Sequence, residues 1–575
     1  MKKFVSFLIG LAFTKNQFSN SKSSQTSSDD NTNKINKIHT KHIPTNKNSK
    51  SHNENNSIIH DNENLDSNNI EMRDDLAISI IIPPVICKER AFPVIATITN
   101  TRFKGSICVR NAKWVWNNKE YRSEIKENLD ASGDSLSTVE EFRSRIDLLT
   151  NAEQRRLKSR YEKLRTGTTY LRFNIDDEMA KEVFRNGSVN LSLTVEGDNT
   201  RDNKPLSVSK VVKLKHNRTL QKPPPAPGIQ DGNWYFGDTH SHSKYTWDYY
   251  FGDGIYTIPE LKSLGIVAGL DWLTLTDHAY CLNSKKFETQ KNTVTALSDS
   301  NFAFLYGEEL SCAELVNNTK SRNTCHCNGI MNDAFVPCTT DIFRKASSPD
   351  SQQGINNIKA RDGLVTINHA NWGKGTIEPW NFNINTYAYT HGETGMEILN
   401  GGWSDTNKGS TTRWIDKRLL HGEKVFPFAG SDTESKNNLG KCYTVVYSDN
   451  LTQTEIKENL RLGHHYVTTY PGLAIWVKKA GTFIWSWMGD TLTIGSATVE
   501  VHLSYSDTTA GLNIYIIKGK KGWNEEQQVY STAVSAGKGL ITTKIHVEQD
   551  CYIRAYCKEE NDSNHRAYTT PIWFE

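Results

Sequence analysis

Five apolar runs in the middle of the chain each end in a histidine or a carboxylate, and this repetition constrains the fold more than any other feature. Trp234-Tyr-Phe-Gly-Asp-Thr leads into His240-Ser-His242, and Leu270-Asp-Trp-Leu-Thr-Leu-Thr into Asp277-His278. Phe302-Ala-Phe-Leu-Tyr-Gly leads into Glu308-Glu309, Gly363-Leu-Val-Thr-Ile-Asn into His369, and Lys424-Val-Phe-Pro-Phe-Ala-Gly-Ser into Asp432-Thr-Glu434. Runs of this length and apolarity read as strands buried on both faces, as in a parallel sheet. Residues two apart on a strand share a face, so His240 and His242 reach one ion where their strand runs out. Each of the other runs delivers its polar residue at the same end, the rim on which barrel enzymes place their chemistry. Nitrogen and oxygen donors from five strands outline a multinuclear metal site.

The rest of the chain frames this region. With 575 residues, two to four domains are expected. Lys and Arg number 68 against 65 Asp and Glu, a net charge of +3, so no basic face points to nucleic acid. Met1-Lys-Lys followed by Phe4–Phe13 has the charge and apolar length of a secretory signal, placed at 1–18. Secretion or an endomembrane lumen is the expected location, the cytoplasm the alternative. No later run is long enough to span a bilayer. Residues 19–75 are Asn- and Ser-rich and cannot bury enough surface to offset chain entropy, so disorder is expected there.

Short alternating strands from Leu76 predict a β-sandwich-like domain over 76–221, interrupted by a charged helical insert with capping boxes at Ser137-x-x-Glu140 and Thr150-x-x-Glu153. Pro223-Pro-Pro-Ala-Pro227 marks a stiff linker within 222–229. The metal-rich region occupies 230–475, with helices expected between its strands, and short strands return in a second small β domain over 476–575. Among the ten cysteines, Cys551 with Cys557 and Cys87 with Cys108 are candidate disulfides in an oxidising lumen. Cys325 and Cys327 alternate away from His326 and read as packing residues.

The ordered set His240-x-His242, Thr276-Asp-His278, Gly307-Glu-Glu309, His326-x-Asn328, Asn368-His369 and Gly430-Ser-Asp432-x-Glu434 resembles the PHP superfamily, the polymerase and histidinol-phosphatase type of metal-dependent phosphoesterase. Ile456–Thr468 followed by Pro471-Gly resembles its carbaryl-hydrolase-like branch, which carries a β domain after the barrel. The resemblance covers about 240 residues, and it implies a distorted (β/α) barrel flanked by two mainly-β domains. It implies two or three divalent ions (Zn, Mn or Fe). His240, His242, Glu309 and Asp432 would hold the first, Glu309, His326 and His369 the second, and Asp248, His278 and Glu434 the third. Glu434 departs from the family, which has histidine there, and makes the third position harder and more anionic. Glu309, Asp432 and His369 would be catalytic, with a metal-bound hydroxide as nucleophile.

The chemistry stands beside the resemblance. Two ions about 3.5–4 Å apart need a bridging carboxylate and neutral imidazoles held on rigid strand ends. Asp238 and Asp277 read as partners that orient ligand imidazoles, Glu308 as a structural residue facing away, and His464 and His465 as a surface turn after Gly463. Lys436, Lys441 and Arg413 are the candidate contacts for an anionic substrate, although surface cations are commoner. A phosphoester hydrolase is the leading function. A hydrolase of neutral esters, amides or carbamates is the second reading, and a secreted binding protein on a degenerate scaffold the third. The sequence is silent on oligomeric state.

Overall fold

The computed structural model describes residues 71–575, except 74–75, 102–104, 132–166, 218, 226–231, 247–253, 317–318, 339–348, 372–389, 435, 480 and 483–484. The signal at 1–18, nearly all of the Asn-rich segment, the helical insert and Asp248 lie outside these residues.

Two four-stranded antiparallel sheets come first in the chain. Glu71–Arg73, Leu76–Ile81, Phe92–Asn100 and Thr168–Ile175 make one, and Lys119–Leu129, Ile107–Trp116, Ser188–Asn199 and Pro205–Lys215 the other. Trp114 of the second stacks on Phe173 of the first with ring centroids 5.1 Å apart. The segment that follows is anchored, with the Tyr470 hydroxyl donating to Thr219 O and the Ser506 hydroxyl to Gln221 Oε1.

The central region is not the (β/α) barrel implied by the family resemblance. Among the described residues strand outweighs helix by 48% to 18%, with six α-helices, and the sheet is a curled half-barrel. Its fifteen strands include two parallel runs. Asn233–Asp238, Trp272–Leu275 and Ala303–Val316 are mutually parallel, as are Leu364–Ile367, Gly395–Asn400 and Phe426–Gly430. Between the runs Thr319–Ile330 is inserted antiparallel to both of its neighbours. On the far side of Asn233–Asp238 lies the antiparallel Tyr443–Ser448, and the ladder continues through His465–Thr468 and Arg566–Thr569 to Cys551–Glu559 and Leu512–Lys520. The apolar runs are indeed buried strands, but apolarity does not encode the direction of a neighbour. The polar strand Thr319–Ile330 breaks the parallel series.

The curl positions the site. Past the ends of their strands, His242 N donates to Thr433 O (2.9 Å) and Asp432 N to His240 O (2.9 Å), which joins the first parallel strand to the last. A fourth sheet, Trp485–Trp487, Gly472–Lys479, Ala497–Asp507 and Gly537–Val547, follows in the chain. Among the described residues, which include all ten cysteines, no disulfide is formed. Cys551 and Cys557 lie six residues apart on one extended strand, too far for a bridge, and Cys108 pairs with Asp198 rather than approaching Cys87. His465 is not in a surface turn. Gly463 caps the preceding helix with φ 76°, but His465 opens a strand and is fully buried.

Candidate metal centre

Four of the five runs place their polar residues just past a strand end. His240 and His242 follow Asn233–Asp238, His278 follows Trp272–Leu275, His369 follows Leu364–Ile367, and Asp432 and Glu434 follow Phe426–Gly430. Glu309 differs, because its strand runs on to Val316 and the carboxylate sits mid-strand. The hairpin of Ala303–Val316 with Thr319–Ile330 therefore overshoots the rim, and it brings His326, opposite Ser311, to the same place.

Three groups of these side chains could hold a metal ion, with the ligand atoms of each within 4.8 Å of one another: His240, His242 and Asp432; His242, His278 and Glu309; and Glu309, His326 and His369. In the first group the two Nε2 atoms face each other at 3.0 Å. Asp432 Oδ1 lies 3.2 and 3.3 Å from them, and Glu309 Oε2 3.5 and 3.4 Å. A tetrahedral ion with ligands at about 2.0–2.2 Å separates them by about 3.3–3.5 Å, so these spacings match the edges of such a tetrahedron. The other oxygen of Glu309, Oε1, lies 3.1 Å from His326 Nδ1 and 3.5 Å from His369 Nε2. Glu309 Oε2 is buried with imidazole nitrogens of His240, His242 and His278 all within 3.5 Å of it.

The imidazoles are set for ligation by what their other nitrogens touch. His240 Nδ1 donates to Glu397 Oε1 at 3.1 Å, which leaves the Nε2 lone pair facing the cluster. His242 Nδ1 lies 3.2 Å from Thr246 Oγ1, whose own proton goes to Asp277 Oδ1 at 2.7 Å. Asp277 thus orients His242 through a hydroxyl, and it also accepts from Ser243 N and Ser243 Oγ, both at 2.6 Å. Among the described residues Asp238 holds backbone N–H groups rather than a ring nitrogen. Its Oδ1 accepts from the backbone N–H groups of His240 and Ser431, tying two strand ends together, and burial pushes its pKa up to about 7. Glu308 faces elsewhere and accepts from Asn332 Nδ2 and Val336 N, with burial raising its pKa to about 8.

Burial works against charge on Glu309, yet His278, His240 and His326 hold it well below the usual carboxylate range. Burial is again opposed at Asp432, which His240 and His242 pull down. Burial lowers His242 and His326, whereas nearby carboxylates raise His240 and His369 against it. The ionised carboxylates and the lowered imidazoles of His242 and His326 are in the states that bind divalent ions, whereas His240 and His369 would give up a proton to a cation bound there.

His278 stands between two carboxylates, with Nδ1 2.7 Å from Glu309 Oε2 and Nε2 3.9 Å from Glu434 Oε1. Of the candidate substrate contacts, Arg413 lies in the helix Asp405–Lys417, and Lys436 and Lys441 in the loop after Glu434. Arg413 Nε donates to Asn371 Oδ1 (3.0 Å), two residues after His369, and Lys441 Nζ to Asn438 Oδ1 (3.0 Å). Lys436 O accepts from Glu434 N. Sequence reasoning missed Glu397, Thr246 and Asn400. The acidic residue within the otherwise apolar Gly395-Met-Glu-Ile-Leu was the available signal for the first.

The sequence matches no family model and no curated protein. Among solved structures, the chain is similar to a protein from Bifidobacterium adolescentis proposed to be a metal-dependent phosphoesterase. The identity is 13%, the TM-score 0.25, and 36% of this chain and 88% of that one are covered. A protein from Archaeoglobus fulgidus follows at 6% identity and TM-score 0.14, covering 26% of this chain and 98% of that one. Likenesses this slight carry no argument about the present chain.

Proposed function

We propose that the chain is a metal-dependent hydrolase of phosphate esters. His240, His242, Glu309 and Asp432 would hold one ion, and Glu309, His326 and His369 a second. The observation that carries this reading is Glu309, a fully buried carboxylate whose two oxygens face two separate sets of imidazoles. Divalent ions bound there would lower the pKa of a water and neutralise charge on a phosphoryl group. Glu309, facing both groups, would share its carboxylate between them. Asp432 is the ligand on the open side, its side chain 24% exposed where His240 and His242 are 0%. His369, partly exposed, would hold the second ion with Glu309 and His326. His278 and Glu434 would complete a third group with Asp248. Arg413, from the helix Asp405–Lys417, and Lys436 and Lys441, from the loop after Glu434, would meet an anionic substrate. The ligand order along the chain is that of the PHP resemblance, which supports the reading without the closed barrel. Among the described residues no helix is long and apolar enough to cross a membrane.

The test is elemental analysis of full-length protein never exposed to chelator, followed by hydrolysis of an aryl phosphomonoester, a phosphodiester and a neutral aryl ester. Two ions per chain and phosphoester turnover are expected, with Lys441→Ala raising KM for the phosphoester alone. Turnover of only the neutral ester would move the function to ester, amide or carbamate hydrolysis. Less than one ion per chain would end the enzyme reading.

A further inference from the structure

We infer that Glu397 is the positioning residue for both ion groups, one buried carboxylate that fixes the tautomer of His240 and pins the turn carrying His369. This rests on the two-group reading proposed above. Glu397 lies in Gly395–Asn400, fully buried, and three N–H donors converge on its carboxylate. Oε1 accepts from His240 Nδ1 at 3.1 Å, and Oε2 accepts from His369 N and Asn400 Nδ2, both at 2.9 Å. The fold keeps room for it, since a Cβ on Gly430 would collide with Glu397 Oε1. His369 has φ 28°, a left-handed conformation unfavourable for a non-glycine residue unless its surroundings hold it. The bond from its backbone N–H to Glu397 is such a hold. Asn400 extends the arrangement, because its Nδ2 also reaches Asp432 Oδ2 at 3.4 Å.

A carboxylate is the only side chain of this length that accepts on both sides. In Glu397→Gln one side of the group becomes a donor. The His369 backbone N–H cannot adapt, whereas His240 can move its proton from Nδ1 to Nε2. The glutamine oxygen should therefore stay with His369 and Asn400, and its amide should donate to His240 Nδ1. His240 Nε2 then carries a proton and no longer ligates. Glu397→Gln is thus a lesion of the first ion alone, and Glu397→Ala of both.

Zinc affinities of the full chain, measured by competition with a chromophoric chelator, test this. Glu397→Gln should weaken one of the two ions by about 10–100-fold and leave the other within about twofold, as expected for a partner behind a ligand. Glu397→Ala should weaken both, and Glu397→Asp, which keeps two accepting oxygens, should recover part of the loss. In a His240→Ala background, Glu397→Gln should leave the remaining ion unchanged, which a merely structural effect would not do. Should the variants fail to melt cooperatively, histidine ¹⁵N spectra of zinc-loaded wild-type protein decide instead. The His240 signal, identified by its loss in His240→Ala, must then show a protonated, hydrogen-bonded Nδ1. Two wild-type ions with unaltered affinities in Glu397→Gln, or a His240 without a proton on Nδ1, would overturn this inference and spare the proposed function. A wild-type chain that binds no zinc overturns both.

Discussion

The curled sheet handles buried charge differently in its two halves. On Cys551–Glu559, Arg554 is 3% exposed and lies against Glu526, with Nε 2.8 Å from Oε1, while the Tyr552 hydroxyl donates to the same oxygen at 2.7 Å. At the rim Glu309 is buried as deeply, but five imidazoles face it. A guanidinium is charged at every working pH, so the first pair is complete in itself. An imidazole gives up its proton and offers a lone pair, so the second arrangement suits a cation supplied from outside. Burial of an acid therefore does not distinguish structure from chemistry. The type of base beside it does.

Glu309→Gln should break the contrast most completely. With the charge gone, nothing holds two cations together, so ion content should fall and turnover drop to background. Elemental analysis and phosphoester hydrolysis on one preparation check this, and full activity in the variant would place the active site elsewhere. Arg554→Ala is the matching lesion in the other half. It strands Glu526 without its cation and should cost about 3–5 kcal/mol of stability in urea melts. Its ion content should equal that of wild type, and a lost ion would mean that the halves are not independent.

Removing metal sharpens the same line. Each ion present at 100 times its Kd stabilises the fold by about 2.7 kcal/mol, so chelation should lower the melting temperature of wild type and of Arg554→Ala alike. Glu309→Gln should show little response. The smallest effect lies at the seam, where His465 Nε2 meets Pro427 O at 2.9 Å and burial pushes its pKa from 6.5 down to about 3. The unfolded chain takes the proton first. Stability from this group is therefore complete above about pH 6.5 and is lost as pH falls towards 3, at up to about 1.4 kcal/mol per unit. Urea midpoints at pH 7.5, 6.5 and 5.5 should decline less steeply in His465→Gln.

The sequence marked the side chains that come together better than it marked the scaffold. His240, His242, His278, Glu309, His369 and Asp432 meet within ligand distance because each stands at or just past an apolar strand, and such runs are legible from their composition, whereas His326 reaches them from the polar strand Thr319–Ile330. Sheet topology was not legible. Thr319–Ile330 is polar along much of its length, and nothing in it announces antiparallel neighbours on both sides. Glu397 was missed for a related reason, since strand periodicity marks a buried charge as an anomaly without naming its partner. His465 was misread because the preceding glycine signalled the end of a helix but not the buried strand that starts two residues later.

The ladder between His465–Thr468 and Arg566–Thr569 has a consequence for how the chain is made. The strand that covers this edge emerges from the ribosome long after the rim has been synthesised. Until then the central sheet presents a row of unpaired N–H and C=O groups, the template on which nascent chains stick to one another. Shortening the chain before Arg566 should therefore harm yield through aggregation even where every ion ligand is intact.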